Sequence, residues 1–350
     1  MKRIYSFPIL SVILVAVTVT ITLAQKPKTT SMESRWKKVE QLTGQDLPES
    51  ALKEVEAILA QAKKEQNSPE IIKAMVHKMR FILDKNPDES EKLIGEFEDY
   101  ADNTTNAAEK AIMHSMSAEL YLKYYQNDRY KINQRTELQG YVPEDMKEWT
   151  KNIFVDKIVG LAELSLEKSD LLQQTASLQY AANLETGIDS RDMQPTLFDF
   201  LSYRKIELLM NFKENGSDDD FPEDDIEFTS SNQEAITADN QLTIHSRILD
   251  TYNQLILFNK KQNNTPATVY AELQKLDFET ETNDEKYLKE LEKLEKQYTG
   301  NESVVEVLAA KAAYFLSKNN ELEKNDDSKK KAFETAASGI KSFPKYKRIG

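Results

Sequence analysis

The stretch LPESALKEVEAILAQAKKEQNSPEIIKAMVHKMRFILDKNPD, residues Leu47–Asp88, decides the fold. Apolar side chains recur in it at intervals of three and four residues, which is the periodicity of an amphipathic α-helix. The tripeptide Asn67-Ser68-Pro69 interrupts this pattern and Asn86-Pro87-Asp88 ends it, as polar residues followed by proline do at helix boundaries. The stretch therefore predicts two antiparallel helices joined by a tight turn. Its apolar positions are Leu52, Val55, Ile58, Leu59 and Ala62 in the first helix and Ile71, Ile72, Met75, Val76, Met79, Ile82 and Leu83 in the second.

The same periodicity extends in both directions along the chain. It predicts a helix from about Glu33 to Leu42, and a stripe of Ile112, Met116, Leu120 and Tyr124 on another helix, before the pattern breaks from about Asn127 to Lys147. The hairpins recur at intervals of about forty residues, close to the period of tetratricopeptide-like arrays, although no full repeat consensus aligns. We therefore predict an all-α fold of antiparallel helical hairpins in a tetratricopeptide-like, repeat-like array.

Composition agrees with this fold and excludes several classes of function. Only 9 of the 350 residues are glycine and 10 are proline, as expected for long helices rather than turn-rich sheets. The formal net charge of -13 disfavours nucleic-acid binding, because a phosphate backbone requires a basic surface. The chain contains no cysteine, which excludes disulfides, thiol catalysis, cysteine metal sites and a lipid-modified cysteine.

The N-terminus has the pattern of an export signal. Lys2 and Arg3 precede the apolar run of residues 4–24, which ends in the small-residue pattern Thr22-Leu23-Ala24. We expect residues 1–24 to be a signal peptide that is cleaved before Gln25. The run is also about as long as a membrane-spanning helix, so an uncleaved anchor is the alternative, and residues 4–24 would then be the chain's only contact with a membrane.

Composition divides the remaining chain into a linker at 25–32, an N-terminal helical block at 33–212, an acidic flexible linker at 213–238 and a C-terminal helical block at 239–350. The acidic linker lacks the spaced ligands, central glycine and closing glutamate of an EF-hand loop, so we interpret it as a solvated connection rather than a cation site. Its carboxylates are Asp218, Asp219, Asp220, Glu223, Asp224 and Asp225.

Residues suited to catalysis are few and isolated. His77, His114 and His245 are the only histidines, and none has a second histidine at metal-binding spacing. Glu119 follows His114 by five residues, which turns the two side chains away from a common helix face. We find no serine nucleophile elbow and no phosphate-binding glycine loop. We therefore predict no catalytic, cofactor-binding or metal-binding residues, no cofactor, and a protein that is not an enzyme.

Three stretches, in this order, resemble a known family. They are RWKKVEQLTGQDLPESALKEVEAILAQAKKEQN at 35–67, AIMHSMSAELYLKYYQNDRYKI at 111–132 and QPTLFDFLSYRKIELLM at 194–210. The chain resembles the N-terminal helical region of large secreted alpha-2-macroglobulin-like proteins of bacteria, of the Bacteroidetes type. The resemblance covers residues 35 to about 210, and the second and third stretches are the more specific because they are rich in aromatic residues.

The resemblance implies an endopeptidase inhibitor built from macroglobulin-like β-sandwich domains, in which cleavage of a bait segment traps a protease. Some members carry a thioester in a Cys-x-Glu-Gln motif, which a chain without cysteine cannot form. The sequence reaches Gly350 before any run of β-strands, so the resemblance implies a leading helical module, truncated before the trap, in the periplasm or cell envelope of a bacterium. The alternative is a free-standing tetratricopeptide-like envelope scaffold. Either function requires a protein partner.

Overall fold

Every regular element that the structure describes is a helix. The computed structural model describes residues 31–86, 89–136, 138, 140–180, 190–214, 244–280, 284–318 and 326–346. Within these ranges the single β-type pairing is an isolated bridge between Ala176 and Thr196. The predicted all-α fold is therefore confirmed. The predicted signal peptide and nearly all of the acidic linker lie outside the described residues, so export stays a prediction.

The helices are α1 (Met32–Gly44), α2 (Pro48–Glu65), α3 (Ser68–Lys85), α4 (Ser90–Asn103), α5 (Ala107–Ile132), α6 (Lys151–Leu164), α7 (Ser169–Gln174), α8 (Ser190–Met193), α9 (Leu197–Glu214), α10 (Ile244–Lys261), α11 (Thr265–Glu279), α12 (Asp284–Gln297), α13 (Val304–Ser317) and α14 (Asp326–Ser342).

The hairpin predicted from residues 47–88 forms as α2 packed against α3. Pro48 and Pro69 each lie in the first turn of a helix, where the missing N–H removes no helical hydrogen bond. Gln66 ends α2 in the left-handed conformation, with a φ of 53°, and its N–H donates to the carbonyl of Ala62. Because only Gln66 and Asn67 separate the two helices, their apolar faces meet directly.

The helix α5 lies at the centre of the N-terminal half, and here the sequence prediction was incomplete. The four-residue stripe predicted for it is buried except for the half-buried Tyr124, but the opposite faces are buried as well. Helices α3, α4, α6, α7 and α9 all pack against α5. The additional faces carry small side chains such as Ser115, Ser117 and Ala118, which have no apolar periodicity but let neighbouring helices approach closely.

The helix α5 also continues past the predicted break at Asn127 and ends at Ile132, with non-helical backbone angles at Asp128. Beyond this kink, Tyr130 and Lys131 of the last turn are exposed, whereas Ile132 is fully buried. The predicted loop is therefore shorter at its start than the sequence pattern indicated, because helical hydrogen bonds persist where the apolar periodicity has already stopped.

One large hydrophobic core extends from Ala62 of α2 to Phe278 of α11. Helices α9 and α10, which flank the acidic segment in sequence, share this core through an edge-to-face contact of Phe198 with Phe258, with ring centroids 5.2 Å apart. The proposed division into blocks at 33–212 and 239–350 stays a prediction. Two smaller cores lie at the ends of the array, one formed by α1, α2 and α3 and one formed by α11, α12 and α13 with Tyr298.

Carboxylates between the helices add ionic contacts to this apolar packing. Glu163 of α6 accepts hydrogen bonds from Lys205 Nζ of α9 at 2.6 Å and from an Arg247 guanidinium nitrogen of α10 at 2.9 Å. The side chain of Lys205 is only 5% exposed, so its charge depends on this partner. Glu163 thus connects three helices at one point. No helix among the described residues is both long enough and apolar enough to cross a membrane.

Candidate protein-binding surface

The three histidines lie on different helices, α3, α5 and α10, and are engaged in packing. His77 packs against the ring of Trp36 with centroids 4.8 Å apart, and His245 packs against Phe278 at 4.7 Å. His114 is 9% exposed. Burial lowers the pKa of His77 and of His114. Within the described residues none of the three donates to or accepts from a carboxylate, so the geometry provides no acid–base pair.

Glu119, five residues after His114 in the sequence, serves a structural role. It accepts hydrogen bonds from Arg204 of α9 and forms an ion pair with Lys123. Burial alone would raise the pKa of Glu119, but Arg204 and Lys123 together hold it below its ordinary value. No group of three or more His, Cys, Asp or Glu side chains in the described part of the chain is arranged to hold a metal ion. The acidic stretch around Asp218 lies outside the described residues.

The connection between α5 and α6 is held to the core by Trp149 and Arg135. Trp149 stacks on Tyr121 with ring centroids 5.6 Å apart and planes inclined by 10°, and it contacts the edge of Phe154. The Trp149 indole N–H donates to the carbonyl of Pro143 at 2.8 Å, and Arg135 donates to the carbonyl of Trp149 at 2.6 Å. These contacts attach the middle and the end of the connection to the core, so its surface is preorganised.

A crevice lies on the last turns of α5, at the start of this connection. The kink at Asp128 opens the helix, and Tyr125 Oη donates to Asn133 Oδ1 at 2.9 Å across the gap. Tyr130 at this end of the helix is 80% exposed. The crevice, called the Tyr130 crevice below, has a volume of about 570 Å³ and is lined by Gln126, Asn127, Arg129, Tyr130, Asn133 and Gln134.

The lining suits a polypeptide backbone. The side-chain amides of Gln126, Asn127 and Gln134 make no hydrogen bond within the part of the chain that the structure describes. Each amide can both donate and accept, as the peptide group itself does. The ring of Tyr130 adds a large, stiff apolar surface with a hydroxyl at its tip. The connection that follows α5 carries three further exposed apolar residues, namely Leu138, Tyr141 and Val142.

Sequence analysis identified this stretch but did not find the crevice. The sequence allows Tyr121, Tyr125 and Tyr130 to bury ring area while each hydroxyl stays near water or a polar partner. The structure buries Tyr121 and Tyr125, whereas Tyr130 follows the kink and is left outside the core. Tyr130 therefore does not use the ring burial that the sequence allowed. The sequence signal for this exposure was that Tyr130 lies among polar residues beyond the end of the apolar stripe.

Comparisons of the chain with known proteins found no relative that could explain this surface. No protein-family model matches the chain. Neither a curated protein nor a solved structure matches it. The resemblance to the helical region of alpha-2-macroglobulin-like proteins therefore stays a prediction from the three quoted stretches, and the residues of the Tyr130 crevice have to be interpreted from their own chemistry.

Proposed function

We propose that this chain is a non-enzymatic helical scaffold that binds an extended segment of a partner protein in the Tyr130 crevice. The observation that carries the proposal is an 80% exposed tyrosine beside amide side chains without partners, at the end of α5, where the connection braced by Trp149 begins. A tyrosine loses little side-chain freedom on binding and is a frequent source of interface energy. The bracing reduces the ordering cost that binding would otherwise impose.

The amides favour an extended segment over a folded surface. An extended peptide presents unpaired N–H and C=O groups at regular spacing, and Gln126, Asn127 and Gln134 can satisfy them in either direction. A folded surface has already paired most of these groups internally. Specificity would then come from the side chain of the bound segment that packs on Tyr130.

The resemblance stated above favours a second candidate, in which the same scaffold is the leading module of a macroglobulin-like protease inhibitor. The supporting observation is the order and aromatic content of the three quoted stretches. The DNA downstream of the codon for Gly350 tests it. An in-frame or frameshifted continuation that encodes β-sandwich domains would support this candidate, and a terminator followed by unrelated genes would exclude it.

Selection of a random twelve-residue peptide library on the full chain tests the crevice. We expect extended peptides whose affinity, measured by fluorescence anisotropy, falls at least about tenfold in Tyr130→Ala, as for a central interface tyrosine. Leu257→Ala is the matched control, because Leu257 is 72% exposed on α10 and does not line the crevice. Circular dichroism establishes that both variants fold. Selected peptides that bind Tyr130→Ala as tightly as the original chain, or a selection that yields none, would exclude the crevice as the binding site.

A further inference from the structure

The amide side chains that line the Tyr130 crevice differ in how firmly they are held. Asn133 Oδ1 accepts a hydrogen bond from Tyr125 Oη at 2.9 Å. The other amides make no hydrogen bond within the described part of the chain and can rotate to suit a ligand, namely those of Gln126, Asn127 and Gln134. The crevice therefore combines adaptable amides with one amide whose orientation is fixed.

The end of α5 also fixes the backbone of Asn133. The Asn133 N–H donates to the carbonyl of Arg129 at 2.9 Å, so this residue caps the helix. The preceding residue, Ile132, is fully buried, and its carbonyl accepts from the N–H of Arg135 at 3.1 Å. The side chain of Asn133 is thus exposed in the crevice, while the chain that carries it is anchored on both sides.

Tyr125 connects this amide to the hydrophobic core. Its side chain is only 3% exposed, and its ring packs against that of Phe154 with centroids 5.9 Å apart. A ring buried in a close-packed core has little freedom to move, so the hydroxyl at its tip stays in place. The hydrogen bond transmits this restriction to Asn133. The amide therefore loses its side-chain freedom on folding rather than on binding.

The hydrogen bond from Tyr125 also decides which group Asn133 offers to a ligand. The oxygen and the nitrogen of a primary amide lie on opposite sides of one planar group, so an Oδ1 turned towards Tyr125 leaves Nδ2 on the side away from it. No described residue accepts a hydrogen bond from Nδ2. Asn133 therefore presents an N–H donor, and the group complementary to it is a carbonyl oxygen.

We propose that Asn133 sets the register of the bound segment by donating from Nδ2 to one of its backbone carbonyl oxygens, and that Tyr125 is the positioning residue. Tyr130 and Asn133 are three residues apart at the end of α5, a spacing at which Cβ atoms lie about 5–6 Å apart. An extended chain advances about 3.3 Å per residue, so this carbonyl lies within about two residues of the side chain that packs on Tyr130. The inference rests on the proposed function, because it requires a segment in the crevice.

Peptides selected on the full chain for binding that depends on Tyr130 test the proposal by fluorescence anisotropy. Asn133→Asp keeps an acceptor for the Tyr125 hydroxyl but replaces the Nδ2 donor with an oxygen that repels a carbonyl, so affinity should fall at least about tenfold. Asn127→Asp is the matched control, because it adds the same charge at an amide that is free to rotate, and a loss below about threefold is expected. Equal losses in the two variants would overturn the proposal.

A double-mutant cycle tests the role of Tyr125. Tyr125→Phe removes the hydroxyl and keeps the ring, and affinity should fall about three- to tenfold, as for the loss of one hydrogen bond. The double variant Tyr125→Phe, Asn133→Ala should bind as Asn133→Ala alone does, because the hydroxyl acts only through the amide. Losses that add in the double variant would show that Tyr125 does not act through Asn133. Circular dichroism establishes that each variant folds.

Replacement of the backbone carbonyls of one selected peptide by methylene groups, one position at a time, locates the contact. One position should weaken binding to the unmodified chain at least about fivefold and leave binding to Asn133→Ala unchanged. If no position behaves in this way, the inference is wrong, while binding that depends on Tyr130 still supports the proposed function. Peptides that bind independently of Tyr130, or a selection that yields none, would exclude both.

Discussion

Asn259 Nδ2 donates a hydrogen bond to Asp199 Oδ1 at 2.8 Å, and both residues are almost fully buried. Asp199 also accepts from the backbone N–H and the hydroxyl of Thr196, which caps the start of α9. One carboxylate therefore terminates a helix and connects that helix to α10, sixty residues later in the sequence. This contact fastens together the two elements that flank the acidic segment.

Removal of the Asn259 amide should weaken the fold in a pH-dependent way. Asn259→Ala should lower the free energy of unfolding at pH 7 by about 1.5–3 kcal/mol, because a buried carboxylate loses one of its donors. Burial raises the pKa of Asp199, and the hydrogen bonds from Thr196 and Asn259 oppose that rise. Without Asn259 the folded-state pKa rises further above the unfolded value, so the folded variant takes up a proton first and its deficit shrinks as the pH falls from 7 towards the ordinary aspartate value of about 3.9.

Urea unfolding at pH 7 and at about pH 4, followed by circular dichroism, measures this deficit. The control is Gln254→Ala, because Gln254 on the same helix hydrogen-bonds only to the exposed Asp250, and a change within about 0.5 kcal/mol is expected. A deficit for Asn259→Ala that stays constant or grows down to about pH 4 would contradict the role assigned to Asp199.

Neutralisation of Glu163 should destabilise the junction of α6, α9 and α10. Glu163→Gln removes the countercharge of the Lys205 ammonium and one carboxylate partner of the Arg247 guanidinium. Removing one partner of a fully buried pair costs about 3–5 kcal/mol, and because Glu163 is 39% exposed we expect a smaller loss of about 2 kcal/mol. The midpoint of urea unfolding measures it. Glu167→Gln breaks a pair that is exposed on both sides, and an equal loss there would rule out a special role for Glu163.

Phe154 should be among the most sensitive positions of the large core. It is fully buried and contacts the rings of Tyr124, Tyr125 and Trp149. Phe154→Ala should cost about 3–5 kcal/mol through lost burial and a residual cavity. Since the chain has only two tryptophans, a Trp36→Phe background lets fluorescence report on Trp149 alone, and its emission should shift to longer wavelength. Tyr141→Ala, at an exposed position of the same connection, should leave both stability and emission unchanged.

His114 should make stability depend on pH between about 7 and 5. Burial lowers its folded-state pKa, and Lys110 lowers it further, while Asp102 and Glu167 act in the opposite direction. The unfolded chain therefore binds a proton that the folded chain resists, so stability is lost as the pH falls below the ordinary histidine value of about 6.5. His114→Gln should lose less stability over this interval than the unmodified chain. Gln254→Ala, at an exposed position without a titratable group, should follow the unmodified chain, and identical slopes for all three proteins would exclude this contribution of His114.

Much of the secondary structure could be predicted because its signals are local. Pro48 and Pro69 mark helix starts, and the apolar residues of α2 and α3 repeat with the helical period, so the hairpin of residues 47–88 is readable from the sequence. The absence of a histidine pair at metal-binding spacing was readable in the same way. The N-terminal signal and the family resemblance stay predictions, because nothing in the described residues tests them.

The candidate surface could not be predicted because exposure depends on neighbours that are distant in the sequence. Tyr121 and Tyr130 are both tyrosines of α5, but Trp149 covers the first and nothing described covers the second. Phe333 continues a helical apolar pattern that indicates burial, yet α13 occupies only the face of Ala332 and Gly339.

The sequence by itself determined that this chain folds as helical hairpins, because periodicity and helix capping act over a few residues. Only the tertiary structure decided which faces of those helices are covered. It buried α5 on nearly all sides, joined Asp199 to Asn259, and left Tyr130 and Phe333 in contact with solvent. The physical reason is that burial is a property of pairs of elements, and the pairing of helices far apart in the chain is set by the packing of the whole array.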